Sequence, residues 1–255
     1  MKDNLIFLTE ADLDKPIYRI FNFERLLEIF KEQKLTLVKP KLWDDPFENF
    51  ILNSIGVMSD GREFTNDLRD KFYGQCWSLT KESDAMWRIY SPDKDSVKVK
   101  TTIRKLFTPL FDIGGHHTKM NGIVYNLSTF VGKVKYETTK NLTNMLKDED
   151  RMKGKLLDQS GHGQASTFYF KRKAFKHENE IRIMFNSNHN QLSDIFRYSI
   201  NPYELFEQIV FDPRMSIDDF NFHKQELKNI GFKNSVIQSG LYKIKQFKIP
   251  FGSTF

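Results

Sequence analysis

The segment His177-Glu178-Asn179-Glu180-Ile181-Arg182-Ile183-Met184-Phe185 sets two glutamates one residue apart, where a polar stretch turns into a strand-like run. Side chains alternate faces along a strand. With a strand starting at Glu178, the residues Glu178, Glu180 and Arg182 share one face, and Ile181, Ile183 and Phe185 form a core face. Paired carboxylates at a strand entrance suit glycosyl transfer, in which positive charge develops on a sugar carbon. The alternative is a solvated strand face on which Arg182 pairs with the glutamates, an arrangement of small energetic weight.

Other polar residues sit at comparable places in other strand-like runs. Arg19 interrupts the apolar run 17–21, and Ser78, with Thr80 beyond it, follows Gln75-Cys76-Trp77. An arginine presents a planar fork that suits a phosphate. A serine hydroxyl can fix a sugar or a backbone group, and a glutamate can steady an oxocarbenium-like centre. Trp77, Trp87 and Tyr90 lie close by in sequence and could stack on a flat ring.

These residues need elements to position them. Hydrophobic periodicity predicts a strand over 17–21, a helix over 23–33 capped by Asn22, and a strand over 35–38 stopped by Pro40. Residues 62–72 are polar and weakly helical. A strand follows over 72–79, then a helix over 83–90 capped by Ser83. The run 97–101 reads as a strand leading into an amphipathic helix over 102–111. Residues 123–125 and 130–136 read as a strand pair, 140–160 as charged and helical or mobile, and 164–173 as a basic helix with aromatics on one side. Strands are expected over 180–185, 196–200, 206–211 and 236–241, a helix over 216–230, and an extended stretch over 242–249. Strands and helices intersperse without strict alternation and without internal repeat, which favours α+β over a doubly wound sheet.

The loop Asp44-Asp45-Pro46-Phe47-Glu48 has a rigid bend at Pro46 and an apolar anchor in Phe47. Either it is structural, or it flanks a pocket with Asp45 or Glu48 orienting Arg19. The run 168–177 mixes bases and aromatics. Lys171, Arg172 and Lys173 are its candidate nucleic-acid contacts, through phosphates and stacking. Burial of the aromatics with solvated lysines is the structural alternative.

Composition narrows the classes. The chain has 255 residues, 39% hydrophobic and 28% charged, and 24 phenylalanines that can build a sizeable core. A net charge of +6 permits a polyanionic partner without demanding one. The single cysteine, Cys76, excludes an intrachain disulfide and a cysteine-based zinc site, and reads as a small core residue. No run approaches a membrane span, and the N-terminal apolar run is short for a signal peptide, so a cytoplasmic protein is expected. His116-His117 follow two glycines with no third metal ligand at a recognisable spacing. Gly114-Gly115 belongs to neither a Rossmann nor a P-loop fingerprint. Ser78 lacks the Gly-x-Ser-x-Gly context of a hydrolase nucleophile.

The order Arg19, then Ser78-x-Thr80 after an apolar strand, then Glu178-x-Glu180 resembles the arginine–serine–glutamate class of ADP-ribosyltransferases. Carried over residue by residue, the resemblance implies that Arg19 contacts the dinucleotide and Ser78 supports the nicotinamide-side ribose. Glu180 would hold a ribose hydroxyl of NAD, and Glu178 would help activate the acceptor. A second resemblance covers most of the chain. Tyr18-Arg19 before a helix, Asp44-Asp45-Pro46-Phe47-Glu48, Trp77-Ser78-Leu79, Met86-Trp87-x-x-Tyr90 and Glu178-x-Glu180-x-Arg182 resemble the microbial domain-of-unknown-function 2971 family. Members often carry Asn-Asp-Pro-Phe-Glu in place of 44–48 and Trp in place of Phe175. That family lends no established activity.

Together the resemblances imply one ADP-ribosyltransferase-like α+β domain over 1–255, with two short packed sheets, flanking helices and a mobile insertion around 138–165. NAD would be the substrate, with no metal required. Glu180 and Glu178 would be catalytic, Arg19, Ser78, Trp77, Trp87 and Tyr90 would bind NAD, and Asp45 and Glu48 would support the site. ADP-ribose would pass to a protein, a nucleic acid or water, as in a toxin or anti-phage effector, and a neutralising partner would suit such an activity. Two other classes stay open: a catalytically silent nucleic-acid-binding module on the same fold, and a metal-independent ribonuclease-like toxin with His162 or His177 as general base.

Overall fold

The alternating apolar runs assemble into one ten-stranded sheet in the computed structural model, which describes residues 2–43, 45, 51, 54–58, 60–65, 70–113, 117–120, 123–158, 160–187, 193–244 and 246–250. Its strands are β1 (Leu5–Ile6), β2 (Pro16–Asn22), β3 (Lys34–Val38), β4 (Phe72–Ser78), β5 (Ser96–Thr102), β6 (Thr129–Lys133), β7 (Glu180–Asn186), β8 (Ile195–Ser199), β9 (Gln208–Phe211) and β10 (Ser235–Gln238). The order is β1-β6-β7-β4-β2-β5-β9-β10, with β3 and β8 branching from β4.

β4 is the branch point. Along one edge it makes a continuous antiparallel ladder with β7, from Phe72↔Asn186 to Ser78↔Glu180. On its other edge β3 reaches it only at Val38↔Gly74, and β2 only at Tyr18↔Ser78. Between these two points β2 and β3 splay apart. The two short sheets implied by the sequence are the two arms of one sheet, β1-β6-β7-β4-β3-β8 and β2-β5-β9-β10. Strands and helices are intermixed without strict alternation, so the chain is α+β.

The helices start where capping side chains stand. Asn22 accepts from the Arg25 N–H at the head of α1 (Phe23–Glu32), and Gln33 ends it in the left-handed region (φ 52°). Ser83 caps α2 (Asp84–Tyr90), and Thr102 caps α3 (Ile103–Asp112). The charged stretch after β6 forms α4 (Thr139–Lys147) and α5 (Glu149–Leu156), capped by Thr138 and Asp148. They bury Leu142, Met145 and Met152 against Phe170. Shorter helices, α6 (His162–Ser166) and α7 (Pro202–Leu205), precede α8 (Ile217–Asn229), which Ser216 caps.

Both faces of the central strands are covered. On one face Tyr73, Trp77, Ile181 and Ile183 join Leu26, Ile29 and Phe30 of α1 and Leu106 and Phe107 of α3. On the other, Phe72, Phe130 and Met184 pack with Ala165, Phe168 and Tyr169. All seven residues of β7 are buried. The solvated face considered for Glu180 and Arg182 is therefore an interior one.

Several expected elements differ. Within 62–72, expected to be weakly helical, Glu63–Phe64 is a short strand paired with Gly56–Val57, and the strand expected over 236–241 ends at Gln238. Residues 164–173 do not form a basic helix: α6 gives way to a 3-10 turn (Thr167–Tyr169) and a strand (Phe170–Arg172). Phe168, Tyr169 and Phe170 are consecutive and all buried, which no single helix stripe allows. Residues 123–125 and 130–136 do not pair with each other. Ile123–Asn126 pairs with His117–Met120, while β6 lies between β1 and β7, where both of its apolar faces are covered. The expected strand over 206–211 begins only at Gln208, because Phe206 caps the end of α7, its N–H donating to the Pro202 carbonyl. Among the described residues no helix is long and apolar enough to cross a membrane.

Candidate active site

The gap left where β2 and β3 splay from β4 opens into a pocket of about 320 Å³, the size range of small-molecule sites. Its wall takes Arg19 from β2, Thr36 and Val38 from β3, Gln75, Cys76 and Ser78 from β4, and Glu180 from β7. Tyr90 of α2 and Lys171, Phe175 and Glu178 close another side.

Glu180 is the most constrained of these groups. Its Oε2 accepts from Arg182 Nε (2.7 Å) and its Oε1 from Lys171 Nζ (2.7 Å), while its backbone N–H donates to the Tyr136 hydroxyl (2.8 Å). Arg182 is fully buried, donates also to the Phe168 carbonyl (2.6 Å), and lies 4.6 Å from the Trp43 ring centroid. Burial opposes charge on Glu180, but Arg182 and Lys171 outweigh it and hold the carboxyl well below the usual carboxylate range.

Glu178 reaches the same place by a different backbone route. It is the last residue of a 3-10 segment (Lys173–Glu178), and Asn179 follows in the left-handed region (φ 46°) before β7 begins. The strand thus starts at Glu180, not at Glu178 as the alternation reading takes it. The corner is pinned by Ser78, whose hydroxyl donates to the Glu178 carbonyl (2.6 Å) and accepts from the Thr80 N–H (2.9 Å). Glu178 Oε2 accepts from Lys171 Nζ (2.6 Å), and Tyr90 donates to Oε1 (3.4 Å). Burial and the neighbouring Glu180 push the Glu178 carboxyl up to about 8, with Lys171 acting in the opposite direction. Two adjacent carboxyls thus have pKa values driven apart, the arrangement that separates an acid–base group from a permanently charged one. Burial, and then the charges of these glutamates, raises the Tyr90 and Tyr136 phenols.

Arg19 lies half-buried on the pocket wall, 6.0 Å from the Phe21 ring centroid. Among the described residues it has no hydrogen-bond or carboxylate partner. Burial lowers its pKa, an effect that Cys76 partly offsets. A half-buried guanidinium facing a cavity without a counter-charge suits a phosphate-bearing ligand.

The structure brings Glu178, Glu180, Arg19, Ser78, Trp77, Tyr90 and Asp45 to this one pocket. Trp77 is 2% exposed and belongs largely to the main core, its indole N–H donating to Gln75 (2.7 Å). Trp87 is not on the pocket wall. It is fully buried beside Ile20, Met86 and Val210, and donates to Glu82 (2.9 Å). Asp45 pairs with Arg172 (2.8 Å) and not with Arg19. Asp44, Pro46, Phe47 and Glu48 lie outside the described residues, as do Gly114, Gly115 and His116.

The three residues of the basic trio are placed differently from one another. Lys171 is 7% exposed and bound to both glutamates, so its ammonium is not available to an external phosphate. Arg172 is engaged with Asp45, and Lys173 alone is exposed. Cys76 faces the pocket instead of sitting in the core. Sequence reasoning missed Tyr136 and the role of Lys171. The latter was detectable had Phe170–Arg172 been read as a strand, since alternation isolates Lys171 on its own face. Among the described residues no cluster of metal-ligating side chains forms.

A family model described as a protein of unknown function (DUF2971) matches residues 86–183. The likeness to that family is shown over this stretch, which includes Trp87, Tyr90, Lys171, Glu178, Glu180 and Arg182. No curated protein matches the chain. Among solved structures, DarT of Thermus sp. 2.9 in complex with carba-NAD+ is similar at 13% identity and a TM-score of 0.39, over 91% of this chain and 97% of that one. The same protein in complex with NAD+ gives 11%, 0.40, 89% and 96%. In complex with ADP-ribosylated ssDNA it gives 11%, 0.41, 89% and 94%.

Proposed function

We propose that this chain is an NAD-dependent ADP-ribosyltransferase-like enzyme that moves ADP-ribose to a protein or nucleic-acid acceptor. The observation that carries the reading is convergence. Arg19, Ser78 and Glu180 come from three separate strands, and with Glu178 they line one pocket. These residues lie up to about 160 positions apart in the chain and meet at one cavity, and glycosyl transfer from a dinucleotide needs such a set.

Each group has a task that its surroundings support. Arg19 is free to hold a phosphate oxygen, because no protein carboxylate competes for it among the described residues. Glu180, held ionised by Arg182 and Lys171, steadies positive charge on the ribose carbon as its bond to nicotinamide breaks and the electron pair leaves with nicotinamide. Ser78 fixes the corner that carries Glu178. Glu178, with its carboxyl near 8, accepts the proton that the acceptor loses as the new bond to the ribose carbon forms. The net charge of +6 permits a polyanionic acceptor, and water substitutes where none is present.

The test is NAD turnover with an adenine-labelled substrate, with cell lysate or single-stranded oligonucleotide, beside Glu180→Gln. Nicotinamide release with label on a macromolecule, absent in the variant, is the expected result. A folded protein that neither binds NAD nor releases nicotinamide rejects the reading.

A further inference from the structure

We propose that Lys171 is a positioning residue that ties Glu178 to Glu180 and makes the two carboxyls act as one unit. The NAD reading supplies what the unit acts on; the tie itself follows from geometry. The Lys171 Nζ lies 2.6 Å from Glu178 Oε2 and 2.7 Å from Glu180 Oε1, and the side chain is 7% exposed. An ammonium in that place is directional, because it has three donors and two are spent on carboxylate oxygens.

The backbone of Lys171 is fixed independently of the glutamates. Its strand, Phe170–Arg172, pairs in parallel with Lys135–Glu137, with Tyr136 as the register partner of Lys171. Tyr136 in turn accepts the backbone N–H of Glu180. The two residues paired at this one position of the small ladder therefore address the start of β7, one through a side-chain ammonium and the other through a phenol. The Phe175 ring covers the ammonium, with its centroid 4.6 Å from Nζ.

Without Lys171 the two glutamates would meet in a buried site with like charge and no shared counter-ion, which raises the first proton affinity of the pair and frees Glu178 to swing away. The charged and titratable groups that act on Glu178 are Lys171 from its strand, Tyr90 from α2 and Glu180 from β7, and Glu180 in turn carries Arg182 and Tyr136. Lys171 is the cation among them that bonds both carboxyls.

The experiment is a carboxyl titration followed by NMR on glutamate-labelled protein, in wild type, Lys171→Met, Lys171→Arg and Glu178→Gln. In wild type one glutamate titrates far above the rest and disappears in Glu178→Gln. The tie predicts that Lys171→Met moves that midpoint up by a pH unit or more, and that Lys171→Arg returns it at least halfway. An unmoved midpoint in folded Lys171→Met overturns the proposal. Should Lys171→Met fail to fold, the Lys171 Nζ resonance of the wild type decides: it must shift with the Glu178 midpoint, and a resonance indifferent to that step overturns the tie. In turnover assays Lys171→Met lowers kcat at least tenfold with KM for NAD changed less than threefold. A wild type without NAD turnover rejects the proposed function, and the titration still decides the role of Lys171.

Discussion

Glu180 stands directly opposite Ser78 in the ladder between β7 and β4, and Ser78 binds not Glu180 but the backbone carbonyl of Glu178. One register position thus sets both glutamates, the first through strand pairing and the second through a hydroxyl bond. Ser78→Ala removes that bond and leaves the carbonyl and the Thr80 N–H short of a partner. A stability loss of about 1 kcal/mol is expected, with a larger fall in turnover than in NAD affinity. Urea denaturation and steady-state kinetics check it.

Arg19 faces the pocket without a protein counter-charge among the described residues, so its removal harms binding and not folding. Arg19→Ala is expected to weaken NAD binding by about 1.5–3 kcal/mol, the range for hydrogen bonds to charged groups. Arg19→Lys restores only part of this, because an ammonium cannot reproduce the planar fork. Isothermal titration calorimetry beside thermal melting separates the two effects.

Glu180 balances Arg182, which is fully buried. Glu180→Ala removes the carboxylate that the Arg182 Nε bonds and is expected to cost up to about 3–5 kcal/mol of stability. Glu180→Gln keeps an acceptor and loses less. Both are expected to lower turnover by about two to three powers of ten, as loss of a preorganised charge does. Melting curves must therefore accompany the kinetics.

The two glutamates carry opposite pH dependences. Glu178 has a folded pKa of about 8 against an ordinary 4.5, so its contribution to stability is full below 4.5 and is lost as pH rises through 8. Glu180 is depressed, so its contribution is present above 4.5 and is lost as pH falls toward its folded value. Between pH 5 and 9, wild type is expected to lose stability relative to Glu178→Gln as pH rises. Turnover, which needs Glu178 free of its proton, is expected to rise over the same interval and level off above about 8. Denaturation and rate profiles that are flat for wild type would contradict this assignment.

Gly132 lies in β6 opposite Ile6 of β1, where a Cβ would meet the Ile6 carbonyl oxygen at 2.5 Å and a Tyr169 ring carbon at 2.6 Å. Gly132→Ala is expected to push β1 off the sheet edge and cost about 1–3 kcal/mol. The Glu178–Lys171–Glu180 bonds do not involve β1, so NAD affinity is expected to hold, which calorimetry on the folded variant checks.

Local sequence determined a good deal. Apolar periodicity and capping residues such as Asn22, Ser83 and Thr102 fixed α1, α2 and α3, because these signals act within a single turn. Alternation marked β2, β4 and β7, and the residue types at Arg19, Ser78 and Glu180 picked out three strands whose side chains line one pocket. Tertiary structure decided what surrounds them. The Phe168-Tyr169-Phe170 run reads locally as a helix with basic neighbours, yet burial on opposite sides makes it a turn and a strand that drives Lys171 inward to the glutamates. The gap between β2 and β3, which makes the pocket, follows from single-residue contacts at Tyr18 and Val38 with β4, long-range pairings that no local pattern encodes. Charge in isolation belongs to the residue, but whether a lysine faces phosphate in solvent or a buried carboxylate pair depends on which strand lies beside it.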